Sequence, residues 1–432
     1  MAVPAFPGAE GFGAAETTGG RGGDVYFVTN PNDDGPGSLR DAVRVGNRTV
    51  LFRVSGTIEL KSRLEIAVPN ITIAGQSAPG DGIALRGREL FIKNTENVIV
   101  RFLRVRPGDE QRVELDAITV WGSKNVILDH CSMSWSTDSI NDVVKESGNV
   151  TVQWCILSEP LNKSVHAKGA HGYATGWDGR TRGGFTGHHN LIAHARSRAP
   201  RVGYFKTGRG AIDVRNLVIY NSGASYGGET DDFNFVNNYF RPGPSYGADG
   251  RAIFDLWSGD SRMYASGNVI EGRDEVERDN AGHVSFRTPT PSTASTQPAD
   301  PPTREKCLID RPIQAPTVTT HSAKEAYELV LKFAGAALPK RDAVDERILA
   351  DVVNRTGKII DSQHDVGGWP ELQSAPAPAD ADDDGIPDAW ETANGLNPHD
   401  GSDARREASP GGYTHLEVYL NELARDTFPQ PK

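Results

Sequence analysis

Between Asn125 and Gly203 the chain gathers the residue types that chemistry needs. The stretch opens with NVILDHCSMSWSTDSIND, runs through HAKGAHGYATGWDG and closes with HHNLIAHARSRAPRVG. It holds three aspartates (Asp129, Asp138 and Asp142), five histidines between His166 and His194, and a basic run at Arg196, Arg198 and Arg201. Clustered carboxylates can hold a hard cation, which prefers oxygen ligands. Guanidinium groups pair with carboxylates. The two together make a place for chemistry on an acidic polymer. The histidine spacing (166, 171, 188, 189, 194) fits no zinc motif. His188 and His189 are expected beside the core, bonded to backbone, and His171 is expected to line a groove.

Something must hold these side chains in place, and a repeat supplies it. An asparagine followed by apolar or β-branched residues recurs at Asn70, Asn97, Asn125 and Asn149, then less cleanly at Asn190, Asn216, Asn238 and Asn268. Self-similarity at such spacings signals a solenoid. Short β-branched runs without intervening helices predict an all-β parallel β-helix with asparagines stacked from coil to coil. The competing reading is a β-sandwich with asparagines at its turns. Cys131 and Cys155 each follow a ladder asparagine by six residues, so they fall at equivalent positions one coil apart. Either a disulfide or a stacked pair of buried thiols satisfies that spacing. The gap from Asn149 to Asn190 is the longest, so a loop must protrude there; it carries Lys163, His166, Lys168, His171, Arg180 and Arg182.

The formal net charge of −11 over 432 residues argues against a general nucleic-acid binder. No apolar run is long enough to span a membrane. Residues 287–303, RTPTPSTASTQPADPPT, read as an extended loop. Ser322-Ala-Lys-Glu325 is a capping box opening a helix to Ala334, and Asp342 to Arg355 predicts another. The expected division is a β-helix over 1–315, a helical segment packed on it over 316–373, and a small tail over 374–432. The tail contains DADDDGIPDAWE, which matches D-x-D-x-D-G-x5-E position by position. Asp380, Asp382, Asp384, Asp388 and Glu391 supply side-chain oxygens, Ile386 a main-chain carbonyl, and Gly385 the sharp turn. This predicts one structural calcium, with the second half of the tail, Asn397 to Glu417, short of acidic ligands.

AFPGAEGFGAAETTGGRGG, GPGSLRDAV, NVILDHCSMSWSTD and HHNLIAHARSRAPR together resemble polysaccharide lyase family 1, the pectate lyases, over roughly residues 4–275. The tail resembles thrombospondin type 3 or dockerin-like calcium repeats. The family resemblance implies a right-handed parallel β-helix, a Ca²⁺ cofactor and β-elimination on an acidic polysaccharide, polygalacturonate by default. It assigns Asp129, Asp138 and Asp142 to calcium and makes Arg198 the catalytic base. Nearby cations disfavour the charged form of that guanidinium, which implies an alkaline optimum. The family's substrate-holding lysine falls on Lys168 by context or Lys163 by counting. A second family arginine is replaced by Gly203, leaving Arg201, with Arg196 and His171, for substrate binding.

Two other readings compete. A hydrolase on the same scaffold would use Asp138 and Asp142 as its acid–base pair. A non-catalytic glycan-binding β-helix would use Arg196, Arg198, Arg201, Lys206 and Arg209 as a docking strip. The start, MAVPAFPG, lacks a secretory signal's basic segment and apolar core. The family resemblance nevertheless implies a secreted or periplasmic protein, and a monomer is expected.

Overall fold

In the computed structural model, residues 3–178, 183–203, 210–228, 232–287 and 300–429 are described. Arg180, Arg182, Lys206, Arg209 and most of the Pro/Thr-rich loop lie outside them. The chain winds as a parallel β-helix with three sheets of ten, nine and nine strands. One coil shows the pattern. Lys124–Asp129 lies in the first sheet, Ser132–Ser134 in the second and Ser139–Val144 in the third, before Gly148–Gln153 returns to the first. Side chains alternate across each strand. In the third sheet Ile66, Ile92, Val120, Val143, Trp177 and Val202 therefore form one inward column, and all are fully buried.

The asparagine repeat is two ladders, not one. Asn47, Asn70, Asn97, Asn125 and Asn149 sit at the corner before each first-sheet strand, at φ of 51–62°. Asparagine tolerates this left-handed region because its short amide bonds locally. The amides also link coil to coil, Asn70 to Asn47 at 2.6 Å, Asn97 to Asn70 at 2.5 Å and Asn149 to Asn125 at 3.0 Å. On the next coil that corner is Gly183, where a Cβ would lie 1.8 Å from Asn149 Oδ1. Asn190, Asn238 and Asn268 belong to the following corner and point inward, fully buried. The long gap thus combines a change of corner with an inserted loop. Cys131 and Cys155 share that second column, stacked as free thiols with the Cys131 amide 3.4 Å from Cys155 Sγ.

Two helices cover the second sheet. Ala323–Phe333 opens with the Ser322/Glu325 capping box, and Ala343–Asn354 follows. Val330, Phe333, Ile348 and Val352 pack on Trp154, Ile156, Leu191 and Val218. Beneath them Arg104 and Arg106 are fully buried and paired with Asp342 and Asp345, which anchors the helical segment. The tail lies on the first sheet's opening strands: Ile386, Leu416 and Leu420 meet Leu51 and Ala74. Arg53 bonds Asp380 and Asp383 at 3.1 and 2.6 Å. The outer face of the third sheet carries the candidate site.

Candidate active site

Asp142 lies on the outward side of Ser139–Val144, in register with Thr119 on one side and Gly176 on the other. A Cβ at Gly176 would come within 2.7 Å of Asp142 Oδ1. Glycine therefore makes room for that carboxylate, whose Oδ1 is buried with no hydrogen-bond partner. Asp138, four residues earlier, faces the same side. His171 Nε2 bonds it at 3.1 Å and His166 Nε2 lies 3.7 Å away.

Burial raises the Asp142 carboxyl to about 6, helped by the charge of Asp138 and opposed by Arg198. For Asp138 burial also acts upward. The hydrogen bond from His171 and the charges of His171 and Arg198 outweigh it, so its carboxyl falls below the usual range. A cluster of acids with an orphaned buried oxygen is chemically suited to a hard cation.

A third carboxylate completes this cluster, and it is not Asp129. Asp129 sits in the first sheet, fully buried. Its oxygens are held by Arg101 Nε at 2.8 Å, Gln153 Nε2 at 2.8 Å and His130 Nδ1 at 2.9 Å. Against the pull of burial, His130 and Arg101 lower its carboxyl to about 2. It is a structural anion inside the wall and cannot reach the site.

The residue in its place is Asp116. Its oxygens accept the Ser139 amide at 2.9 Å and the Thr119 hydroxyl at 2.7 Å. Burial, then the charges of Asp142 and Asp138, push its carboxyl well above the usual range. The signal for it was the register: Ile118 pairs with Asn141, which puts Asp116 one coil below Ser139.

Arg198 faces the cluster from the other flank. It precedes the third-sheet strand Arg201–Val202, with φ of 58°. Its carbonyl accepts the Thr175 amide at 3.1 Å, and Nη1 donates to Ser139 Oγ at 3.1 Å. Arg201 lies over the Tyr226 ring at 5.8 Å, and its charge also acts on Asp142. Arg196 is exposed and reaches the Ala170 carbonyl, so it braces the loop at the rim.

The two loop lysines separate. Lys168 is exposed beside His166, whose Nδ1 accepts its amide at 3.1 Å. The Lys163 amide is tied to Asp361 at 2.9 Å, on the side of the C-terminal segment. His188 and His189 are buried in the corner stack. They bond side chains rather than backbone: to each other at 2.8 Å, and from His189 to His321 at 3.0 Å. Burial first, then Arg215, drops the His188 ring to about 3.

A second acidic cluster lies in the tail. Asp380, Asp382 and Asp384 come together, as do Asp384, Glu391 and Asp403. Both oxygens of Asp382 and of Glu391, with one each of Asp384 and Asp403, are buried without a hydrogen-bond partner. Glu391 is fully buried. Burial and then the neighbouring acids raise Glu391 to about 7 and Asp384 to about 6. Two corrections follow for the loop. Asp403, from the half read as short of ligands, joins the cluster. Asp388 instead accepts the Ala381 amide at 2.7 Å and starts the helix Asp388–Asn394. The Ile386 side chain is core.

The comparisons agree with this architecture. The pectate lyase family model matches residues 8–227. This chain belongs to the pectate lyase family. By family it is a polysaccharide lyase. It is 34% identical to probable pectate lyase C of Aspergillus flavus over 444 residues, covering 99% of this chain and 96% of that one. The corresponding Emericella nidulans protein is also 34% identical, with 99% and 94% covered. These alignments run through the helical segment and the tail. Among solved structures, a pectate lyase from Bacillus sp. N165 in complex with trigalacturonate has a TM-score of 0.50 at 20% identity, covering 76% of this chain and 98% of that chain. A thermostable pectate lyase has a TM-score of 0.52 at 16% identity, covering 78% and 98%. At those identities the likeness concerns the fold.

Proposed function

We propose that this protein cleaves polygalacturonate, or a related acidic polysaccharide, by calcium-assisted β-elimination with Arg198 as the base. One observation carries the reading: the unpartnered Asp142 Oδ1, in the space left by Gly176, faced by Arg198. Asp116, Asp138 and Asp142 would hold the cation. A bound calcium would supply a positive charge beside the uronate carboxylate, acidifying the adjacent C5 proton. Arg198, entering as the neutral guanidine, takes that proton and becomes the guanidinium. The C–H electrons become the C4=C5 double bond, and the C4–O pair leaves with the oxygen, which is protonated by solvent. Arg201 and Lys168 flank the substrate carboxylate, and His171 acts from behind through its bond to Asp138. Fixed cations there stabilise the charge that grows on it in the transition state. A guanidinium normally holds its proton to pH above about 12, so activity should climb toward alkaline pH.

In this reading the protein acts as a single chain outside the cytoplasm, secreted or periplasmic. The tail, 374–432, is a clasp stapled to the first coils by a second, structural calcium. Asp380, Asp382, Asp384, Glu391 and Asp403 would hold that ion, with the Ile386 carbonyl.

The test is polygalacturonate cleavage followed by ultraviolet absorbance of the unsaturated product, with and without chelator. Arg198→Ala and Arg198→Lys should each lose about 10²-fold or more in kcat, the scale of general-base work. Binding of the polymer should change much less. Cleavage without absorbance would indicate a hydrolase. Binding without any product would indicate a glycan-binding scaffold. A lysine variant near full activity would reduce Arg198 to an electrostatic clamp.

A further inference from the structure

Arginine is a long side chain with several free torsions, and a base needs one position. Tyr173, at the start of the third-sheet strand Tyr173–Trp177, lies where it can fix that position. The Arg198 Cζ sits over the Tyr173 ring, 4.2 Å from its centroid. The His171 ring lies 4.0 Å from the tyrosine ring, tilted by 45°, and His171 stacks on His166 at 3.4 Å and 9°. The four side chains thus contact one another in series, as a short column.

The base of the column is rigid. Both histidines are buried, 6% and 5% exposed. The Lys168 amide donates to His166 Nδ1, so a neutral His166 carries its proton on Nε2, toward Glu114 and Asp138. That proton also argues against His166 Nε2 as a metal ligand. The backbone ties the tyrosine's strand to the arginine's segment. Tyr173 bridges Ser197, and the Ala174 and Thr175 amides donate to the Ser197 and Arg198 carbonyls at 3.0 and 3.1 Å. Arg198 leaves this ladder in the left-handed region and its guanidinium folds back over the ring. Ser139 Oγ then takes Nη1 from the cluster side, and the Ser139 amide is itself fixed by Asp116.

We propose that Tyr173 is a positioning residue for Arg198: its ring face, backed by the stacked histidines, holds the guanidinium against Ser139 and toward the substrate's reacting carbon. This rests on the reading of Arg198 as the base. The flat guanidine group of arginine stacks well on an aromatic face, so the ring can fix its plane without depending on its charge. The ring face does this and the hydroxyl does not, so phenylalanine should substitute and an aliphatic residue should not.

The experiment compares wild type, Tyr173→Phe, Tyr173→Leu, Arg198→Ala and the double variant Tyr173→Leu/Arg198→Ala on polygalacturonate, with thermal midpoints alongside. Tyr173→Leu should lower kcat about tenfold or more, toward the roughly 10²-fold that a misplaced catalytic group can cost, with KM within about twofold; Tyr173→Phe should stay near wild type. On the Arg198→Ala background Tyr173→Leu should cost almost nothing further, because the two residues act as one unit. Wild-type kcat in Tyr173→Leu, or an undiminished tenfold loss on the Arg198→Ala background, would overturn the proposal. An active Arg198→Ala variant would sink the base reading instead. Should Tyr173→Leu not fold, Ser139→Ala releases the guanidinium from its other side. It should then lower kcat with KM kept, and wild-type turnover there would equally overturn the proposal.

Discussion

Removing calcium should destabilise this protein at pH 8 and leave it almost untouched at pH 5, and Glu391 should be the switch. Glu391 is fully buried, and both its oxygens lack partners. Burial and the facing acids move its carboxyl from 4.5 to about 7, so the cation-free fold disfavours its ionisation. Asp384 moves from 3.8 to about 6 for the same reasons. The sign follows from linkage. The cation-free fold keeps protons that the unfolded chain has already released, so its stability falls as pH rises from about 4.5 to about 7. A calcium ion bound at the proposed tail site would displace those protons and restore the balance.

At a free concentration a thousandfold above its dissociation constant, a bound ion adds about 4 kcal/mol. An unfolding entropy of about 2 cal/mol/K per residue turns that into roughly 4–5 °C if the whole chain unfolds together, and more if the tail opens first. The assay is calorimetry of wild type and Glu391→Gln, with calcium or chelator, from pH 5 to 8. The chelator-induced drop in Tm should grow across that range in wild type. Glu391→Gln in chelator at pH 8 should be more stable than wild type, since a buried charge is gone, yet should gain little from calcium. A pH-independent chelator effect, or a full calcium increment in Glu391→Gln, would refute the reasoning.

Two further outcomes separate neighbouring residues. Asp116→Ala should abolish lyase activity with little change in Tm. Asp129→Ala should instead cost about 3–5 kcal/mol, as expected for breaking a buried ion pair, while the folded fraction keeps its kcat; denaturation and initial-rate assays distinguish them. Lys168→Ala should lower turnover strongly, because charge beside it grows in the transition state, whereas Lys163→Ala should be mild. Steady-state kinetics on polygalacturonate decide which lysine serves the site.

The parts of this molecule legible in its sequence were those where local chemistry and global fold coincide. Asn70, Asn97, Asn125 and Asn149 could be aligned because the same left-handed corner recurs and asparagine tolerates it. The capping box at Ser322 and Glu325 names its own helix start. Asp138 and Asp142 could be read as a pair because four residues along a strand return to one face. Where the ladder switched corners, at Asn190, the alignment drifted, since the letter stayed the same while its backbone position changed. Asp129 was misassigned for a related reason. An aspartate on the first sheet and one on the third look alike in a motif, and only the partners Arg101, His130 and Gln153 reveal a wall anion.

Both acidic clusters show the same rule from the other side. Each motif read from the sequence is a contiguous run: Asp138 to Asp142 in the third sheet, Asp380 to Glu391 in the tail. Each lacks a member that comes from elsewhere in the chain. Asp116 arrives from one coil below, and Asp403 from the tail's second half. In a solenoid, neighbours across coils are separated by a coil length, and that length is not fixed. It is 23 residues from Ile118 to Asn141 but 34 from Ile140 to Ala174, between the pairs Asn141 with Thr175 and Ser139 with Tyr173. A ligand set assembled across coils therefore has no constant spacing in the sequence. What marks it instead is the register, together with carboxylate oxygens that the fold buries and leaves unbonded, such as Asp142 Oδ1 and both oxygens of Glu391. Leaving a buried acceptor unsatisfied is costly. Under the proposed function, two such clusters on one chain would be two places where a cation completes the fold: one on the outer face of the third sheet, the other under the clasp that closes the first coils.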